Sequence, residues 1–204
     1  TATGARIPYS IAKGSLNKDP GWSPFNAGDG QLLLGTLDTI FMFAYAGAMP
    51  IMGAIADRIH QPTFLFLGLL IIASMLVLVG LAEPWRIHSY TYFALTSFVG
   101  GCAQSICYPC VIGVISKWCG KSNIGLILGI WSSCTPIGTI LGKLGGTAAL
   151  SSGWQAVFIS AGLATAVIAV VTLLCLVSDP YDVQLLRPGE ASALHQQNLS
   201  TRLA

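Results

Sequence analysis

Two basic side chains near the start of the sequence have the chemistry and spacing of an anion site. Arg6 and Lys13 are seven residues apart, about two helical turns, so they would share one face of a helix. A guanidinium stays charged and its fork of donors fits phosphate oxygens in pairs, and a lysine beside it would draw an anion inward. Both residue types also reach from a helix end to the membrane surface, so the spacing alone leaves the two interpretations open.

Three more charged residues lie within or at the end of the first long apolar stretch. Asp38 is the only acid inside that stretch, and a charge within a membrane is costly unless it is paired. Asp38 is therefore a functional candidate, although a pairing with Lys13 or Lys143 would give it a structural role. Asp57 and Arg58 follow at the predicted membrane edge, where an acid–base pair suits the polar end of a helix.

Uncharged polar and aromatic side chains inside the apolar stretches are candidates for contacts to the rest of a ligand. Tyr45, Gln104 and Trp131 come first, because a hydroxyl, an amide and an indole can orient a polar group beside a bound anion. Further candidates of this kind are Tyr108, Ser132 and Thr135. The alternative is ordinary hydrogen bonding between membrane helices.

The composition places the chain in a lipid bilayer. Of its 204 residues, 53% are hydrophobic and 9% are charged, whereas a soluble domain carries about a quarter charged residues. A net charge of +2 and the lack of a basic run argue against nucleic acid as a partner. The six cysteines fall in or beside apolar segments, so a secreted disulfide framework is not expected.

The sequence carries no motif of a familiar enzyme. It lacks the zinc motif H-E-x-x-H and the phosphate loop G-x-x-x-x-G-K-[ST], and it offers no set of nucleophile, base and acid. We therefore expect no enzyme activity, no metal site and no bound cofactor. The lack of the phosphate loop also gives no support to a process driven by ATP hydrolysis.

The apolar pattern predicts an all-α bundle of membrane helices. About 20 apolar residues cross a hydrocarbon core of about 30 Å. Five stretches reach this length, at about 32–56, 63–82, 90–116, 124–148 and 155–177. Residues 4–16 are too short to cross alone and are predicted to be the last turns of a first helix. Residues 17–30 are predicted to form a loop, and residues 181–204 are predicted to form a polar, disordered tail.

Basic residues predict the orientation of the bundle. The links at 57–62 and 117–123 and the C-terminal segment carry an excess of Lys and Arg, which favours the cytoplasmic side for all three.

Glycines along the fifth predicted span have the spacing of close helix contacts. Gly125 and Gly129 are four residues apart, as are Gly138 and Gly142. Small residues at this spacing let helix backbones approach closely, and they also suit helices that slide.

Seven stretches of the chain together resemble one branch of the major facilitator superfamily. They are RIPYSIAK (6–13), WSPFN (22–26), LLGTLDTIFMFAYA (33–46), GCAQSICYP (101–109), KWCGK (117–121), GIWSSCTPIGTILG (129–142) and VSDPYDV (177–183). The branch is that of the sugar-phosphate exchangers, which include glucose-6-phosphate and glycerol-3-phosphate translocases. The stretches occur in family order and at family spacing, so the resemblance covers about residues 6–183.

The resemblance implies a twelve-helix antiporter built from two six-helix halves. This chain corresponds to the N-terminal half, with five full spans and part of a first, and without the C-terminal half. Substrate sites of such transporters lie near the bilayer midplane between the halves, and access alternates as one half rocks against the other. The implied partners are a sugar phosphate, inorganic phosphate, the bilayer and the C-terminal half, and the implied location is the endoplasmic reticulum or another internal membrane.

The resemblance also assigns roles to single residues. Arg6 matches the arginine that the family places in helix 1 to bind phosphate, and the uncharged candidates would orient a sugar or glycerol group beside it. The loop of Asp57 and Arg58 matches the loop that braces neighbouring helices in one conformation. Some bacterial organophosphate antiporters carry a lysine near Met49 and a histidine near Thr135, and this chain has neither.

Two other functions remain open on the sequence. The chain could be a truncated, non-transporting membrane subunit that regulates a full-length exchanger. It could also belong to a transporter of the same fold that carries a non-phosphorylated anion.

Overall fold

Every regular element in the described part of the chain is an α-helix. The computed structural model describes residues 7–16, 30–118 and 124–176. Its helices are α1 (Ile7–Leu16), α2 (Gly30–Ala56), α3 (Gln61–Leu81), α4 (Tyr90–Gln104), α5 (Cys107–Trp118), α6 (Ile124–Leu150) and α7 (Trp154–Cys175). The predicted all-α fold is confirmed.

Five helical stretches are long and apolar enough to cross a bilayer. They are α2, α3, α4 together with α5, α6 and α7, and they contain between 21 and 29 residues each. A helix of that length extends for at least about 30 Å, the thickness of the hydrocarbon core. The predicted loop at 17–30 and tail at 181–204 lie outside the described residues, apart from Gly30, which begins α2.

A turn at Ser105 and Ile106 divides the fourth span into two helices. Pro109 explains the turn, since it has no N–H to donate to the carbonyl of Ser105 and its ring would collide with that carbonyl. The Ser105 hydroxyl donates to the carbonyl oxygen of Cys102 at 2.7 Å, which helps to stabilise the turn. The apolar pattern predicts one uninterrupted span here, because the residues on both sides of the turn are equally apolar.

Glycines allow the closest approach between α3 and α7. A side chain on Gly162 of α7 would lie 2.7 Å from Val77 and 3.0 Å from the carbonyl oxygen of Ala73, both on α3. Similarly, a side chain on Gly80 of α3 would lie 2.6 Å from Ile159 of α7. The two helices are therefore antiparallel and in direct backbone proximity, which is the usual benefit of small residues in membrane helices.

Helix α1 packs along α6 at two glycines four residues apart. Ile7 lies against Gly142 and Ile11 against Gly146, so the two helices run in the same direction. Gly125, Gly129 and Gly138 have the predicted spacing of contact glycines, but a side chain at any of them would meet nothing within 4 Å in the described structure. Of the four glycines in the two predicted pairs, Gly142 alone lies close to a side chain of another helix in the described structure.

Tyr9 connects α1 to two further helices. Its hydroxyl lies 3.3 Å from that of Ser97 on α4, and its ring packs edge-on against Phe158 of α7 with 4.9 Å between centroids. Together with the contacts of Ile7 and Ile11, these contacts place the described part of α1 against α4, α6 and α7.

We expect Tyr9→Phe to destabilise the bundle by about 1 kcal/mol, because it removes one hydrogen bond and keeps the ring. Thermal unfolding in detergent micelles measures this loss. Ser97→Ala should have a similar effect, and the double variant should cost less than the sum of the two single losses. Strictly additive losses would show that the two hydroxyls do not interact.

Candidate functional site

A cavity of about 400 Å³ lies among five helices of the bundle. This volume is within the range of about 300–1,000 Å³ that is typical of small-molecule sites. The side chains that can form hydrogen bonds are Tyr45, Tyr108, Trp131, Ser132, Thr135 and Thr172. The remaining lining residues are Leu65, Leu69, Cys107, Val111 and Ile168.

Helical periodicity explains why these side chains share one space. Residues four apart on a helix lie on the same face. Each of four helices contributes such a pair to the cavity, and the pairs are 65 and 69 on α3, 107 and 111 on α5, 131 and 135 on α6, and 168 and 172 on α7. The turn before Cys107 starts α5 beside the cavity, so the interruption of the fourth span has a direct consequence for the site.

Two aromatic rings meet at the cavity wall. The centroids of Tyr108 on α5 and Trp131 on α6 are 5.5 Å apart, and the ring planes are inclined by 54°. This separation is in the range of favourable aromatic pairs. Both rings also line the cavity, so the pair both joins α5 to α6 and presents aromatic surface to a ligand.

The described lining of the cavity contains no charged side chain. An anion buried in such a space would be unpaired, and its desolvation would be costly. The described part of the cavity is therefore suited to the uncharged part of a ligand.

The structure brings together some of the predicted binding residues and not others. Tyr45 and Trp131 line the cavity, but Gln104 does not, and with an exposed fraction of 2% it is buried at the end of α4. Arg6 lies outside the described residues, as does the side chain of Lys13, whose backbone belongs to α1. Binding by these five residues stays a prediction.

The residues predicted to act in gating lie within α2 and directly after its end. Asp38 is half-buried and lies seven residues, about two turns, before Tyr45 on α2. Asp57 and Arg58 are exposed, and their backbone N–H groups donate to carbonyl oxygens near the end of α2 at 3.2 and 3.0 Å. Their gating role stays a prediction as well.

Two polar residues in unusual positions were not among the candidates predicted from the sequence. Thr172 of α7 lines the cavity, and a threonine in an apolar run gives no signal of this. Gln61 has an exposed fraction of only 5%, and its Oε1 accepts no hydrogen bond from the described residues. A side chain on Gly113 of α5 would collide with the Gln61 amide, so α3 and α5 are in close contact at this point.

Comparisons with known proteins identify the family. The chain matches the Major Facilitator Superfamily over residues 2–202. It is 36% identical to "Putative glycerol-3-phosphate transporter 3" of Arabidopsis thaliana over 194 residues, which are 90% of this chain and 38% of that protein. It is 37% identical to "Glucose-6-phosphate exchanger SLC37A1" of Mus musculus over 166 residues, 81% of this chain and 31% of that protein. No solved structure gives a significant match.

Five apolar spans around a ligand-sized cavity define an integral, multi-pass membrane protein. The chain belongs to the major facilitator superfamily. Its relatives bear the names of glycerol-3-phosphate transporters and glucose-6-phosphate exchangers, which confirms the resemblance to the sugar-phosphate exchangers. By name these relatives are transporters and not enzymes, and the chain spans about a third of the length of each.

Proposed function

We propose that this chain is part of a secondary transporter that exchanges a sugar phosphate or related organophosphate for inorganic phosphate. The observation that carries the proposal is a cavity inside a major facilitator bundle whose described lining is uncharged and partly formed by hydroxyl and aromatic groups. The names of the relatives supply the chemical class of the cargo.

The cavity and the predicted basic residues would bind different parts of the substrate. Tyr45, Trp131 and the hydroxyls around them would hold the organic part. Arg6 would hold the phosphate, since a guanidinium pairs with phosphate oxygens in a fixed geometry. Inorganic phosphate would use Arg6 alone, which is why one site can serve both substrates in turn.

Alternating access needs a second wall for the site. Helix α6 exposes large apolar side chains along much of its length, including Leu126, Ile130, Ile137, Ile140, Leu141 and Leu144. The relatives are about three times as long as the matched segment. We propose that a second helix bundle of the same transporter faces this half and closes the site, while Asp57 and Arg58 brace one of the two conformations.

The location of the transporter in an internal membrane such as the endoplasmic reticulum is part of the same proposal. It rests on the family resemblance alone. Imaging of a tagged transporter beside a marker of the endoplasmic reticulum tests it.

Phosphate counterflow in liposomes tests the exchange. A polypeptide of the relatives' full length that contains this chain should take up labelled phosphate into liposomes preloaded with phosphate, and added sugar phosphate should compete with the uptake. The 204-residue chain alone should give no exchange, because it supplies one wall of the site. Folded full-length protein that exchanges neither compound would contradict the proposal. Phosphate exchange without competition by organophosphates would contradict the claim that organophosphates are substrates.

A further inference from the structure

Sequence similarity does not decide between a cyclic and an acyclic cargo. The Arabidopsis relative is named for glycerol-3-phosphate, a short acyclic molecule, and the mouse relative for glucose-6-phosphate, which contains a ring. The two identities, 36% and 37%, are practically equal. The shape and chemistry of the cavity wall in this chain give independent evidence on the distinction.

The aromatic corner formed by Tyr108 and Trp131 is the most specific feature of that wall. The rings meet at 54° with 5.5 Å between centroids, so they form an angle rather than a stack. Tyr108 has an exposed fraction of 42% and both residues line the cavity, so aromatic surface remains available to a ligand. The faces of such rings are electron-rich and apolar.

A pyranose ring has the complementary surface. Its C–H bonds form a compact apolar face that can lie on an aromatic plane, while its hydroxyl groups point outward around the rim. Ser132 and Thr135, which lie beside Trp131 on α6, offer hydroxyls to such a rim. A flexible acyclic chain has no rigid C–H face, and it loses more conformational entropy when it is held in one geometry.

We propose that Tyr108 and Trp131 form a platform for the sugar ring and make the site select cyclic hexose phosphates over acyclic organophosphates. The inference rests on the proposed function, and it names the substrate class of the same cavity. It assigns a specificity role to Tyr108 as the partner of Trp131. Phosphate binding itself is assigned elsewhere, because the described lining of the cavity is uncharged.

A cyclic sugar phosphate and its acyclic reduced form provide the test. Glucose-6-phosphate and glucitol-6-phosphate have the same carbon chain and the same phosphate, but glucitol-6-phosphate cannot close a ring. Each competes for phosphate uptake by the full-length transporter in liposomes, with glycerol-3-phosphate as a shorter acyclic compound. We expect glucose-6-phosphate to compete at an about 2–10-fold lower concentration than glucitol-6-phosphate, the range that one aromatic contact supports.

Substitutions of the two aromatic residues test whether the platform causes the preference for the cyclic compound. Trp131→Leu and Tyr108→Leu remove the aromatic face but keep much of the bulk, and each should bring the ratio of the two competing concentrations close to one. Trp131→Phe keeps an aromatic face and should keep most of the preference. Phe43→Ala is the matched control, since Phe43 has an exposed fraction of 76% and does not line the cavity, so its loss should leave the ratio unchanged.

The outcomes separate the two proposals. Phosphate exchange with equal competition by glucose-6-phosphate and glucitol-6-phosphate in the unaltered transporter would overturn the platform and leave the exchange function intact. A preference that persists in both leucine variants would overturn it too. Failure of phosphate exchange by folded transporter would instead overturn the proposed function.

Discussion

Replacement of Arg6 by glutamine is expected to abolish exchange of both phosphate and organophosphate by the full-length transporter. The described cavity has no charged lining residue, so it cannot neutralise a phosphate. Removing one partner of a desolvated charge pair costs about 3 kcal/mol or more, which corresponds to a loss of about 100-fold.

The packing of α1 supports the choice of Arg6. Helices α1 and α6 run parallel, with Ile7 against Gly142 and Ile11 against Gly146. Along α6, the N-terminal direction leads from Gly142 to Thr135, seven residues or about 10 Å away, and then to Trp131. Ile7, the first residue of α1, therefore lies at the end of that helix nearer to the cavity, and Arg6 directly precedes Ile7 in the sequence.

Three variants make the test specific. Arg6→Lys keeps the charge but loses the paired donors, so exchange should fall by an intermediate factor of about 10. Arg86→Gln is the matched control, because Arg86 is exposed in the link between α3 and α4 and does not line the cavity. It should exchange phosphate at the rate of the unaltered protein. Arg6→Gln with unchanged phosphate uptake would show that another cation holds the phosphate.

Much of the fold could be predicted from the sequence because hydropathy depends only on local composition. Five apolar stretches of membrane-spanning length appear as five spans in the structure. The interruption at Ser105 and Ile106 could not be read from that pattern, since hydropathy does not register a lost backbone hydrogen bond. Pro109 was the available signal, because a proline removes the N–H that the carbonyl four residues earlier needs.

The cavity could be predicted only in part, because a pattern of residue types does not show which face of an apolar helix is turned inward. Tyr45 and Trp131 could be chosen because polar and aromatic groups are uncommon in such stretches. Leu65 and Leu69 could not be chosen, since α3 is apolar on all sides and its periodicity carries no information. Gln104 shows the converse case, a polar residue that was chosen from the sequence but does not line the cavity. Its burial at the end of α4 depends on packing between helices, which no local sequence pattern shows.

Glycine spacing shows the same limit. The spacing at Gly125 and Gly129 favours helix contact as strongly as the spacing at Gly142 and Gly146, but only the second pair meets a described neighbour. The spacing identifies a helix face made of small residues. Whether another helix packs against that face depends on the rest of the fold. Contacts of glycine with backbone are therefore better grounds for a stability prediction than spacing is.

Gly101→Val is expected to lower the stability of the bundle by about 3 kcal/mol, at the upper end of overpacking effects. The Cβ atom of any residue at 101 would lie 2.5 Å from the carbonyl oxygen of Phe41 and 3.0 Å from the Cβ atom of Ala44. The first neighbour is backbone, so α2 and α4 would have to move apart. Thermal unfolding in detergent micelles should show a fall of several degrees.

The neighbouring glycine gives the matched control. A Cβ atom at Gly100 would meet only the ring of Phe41, at an ordinary contact distance of 3.7 Å, so Gly100→Ala should change the unfolding temperature little while Gly101→Ala lowers it clearly. The displacement should also reach the site, because Tyr45 follows Ala44 directly on α2 and lines the cavity. Gly101→Ala in the full-length transporter should therefore weaken competition by organophosphates as well as stability. Equal unfolding temperatures for the two alanine variants would show that α2 and α4 do not approach each other at Gly101.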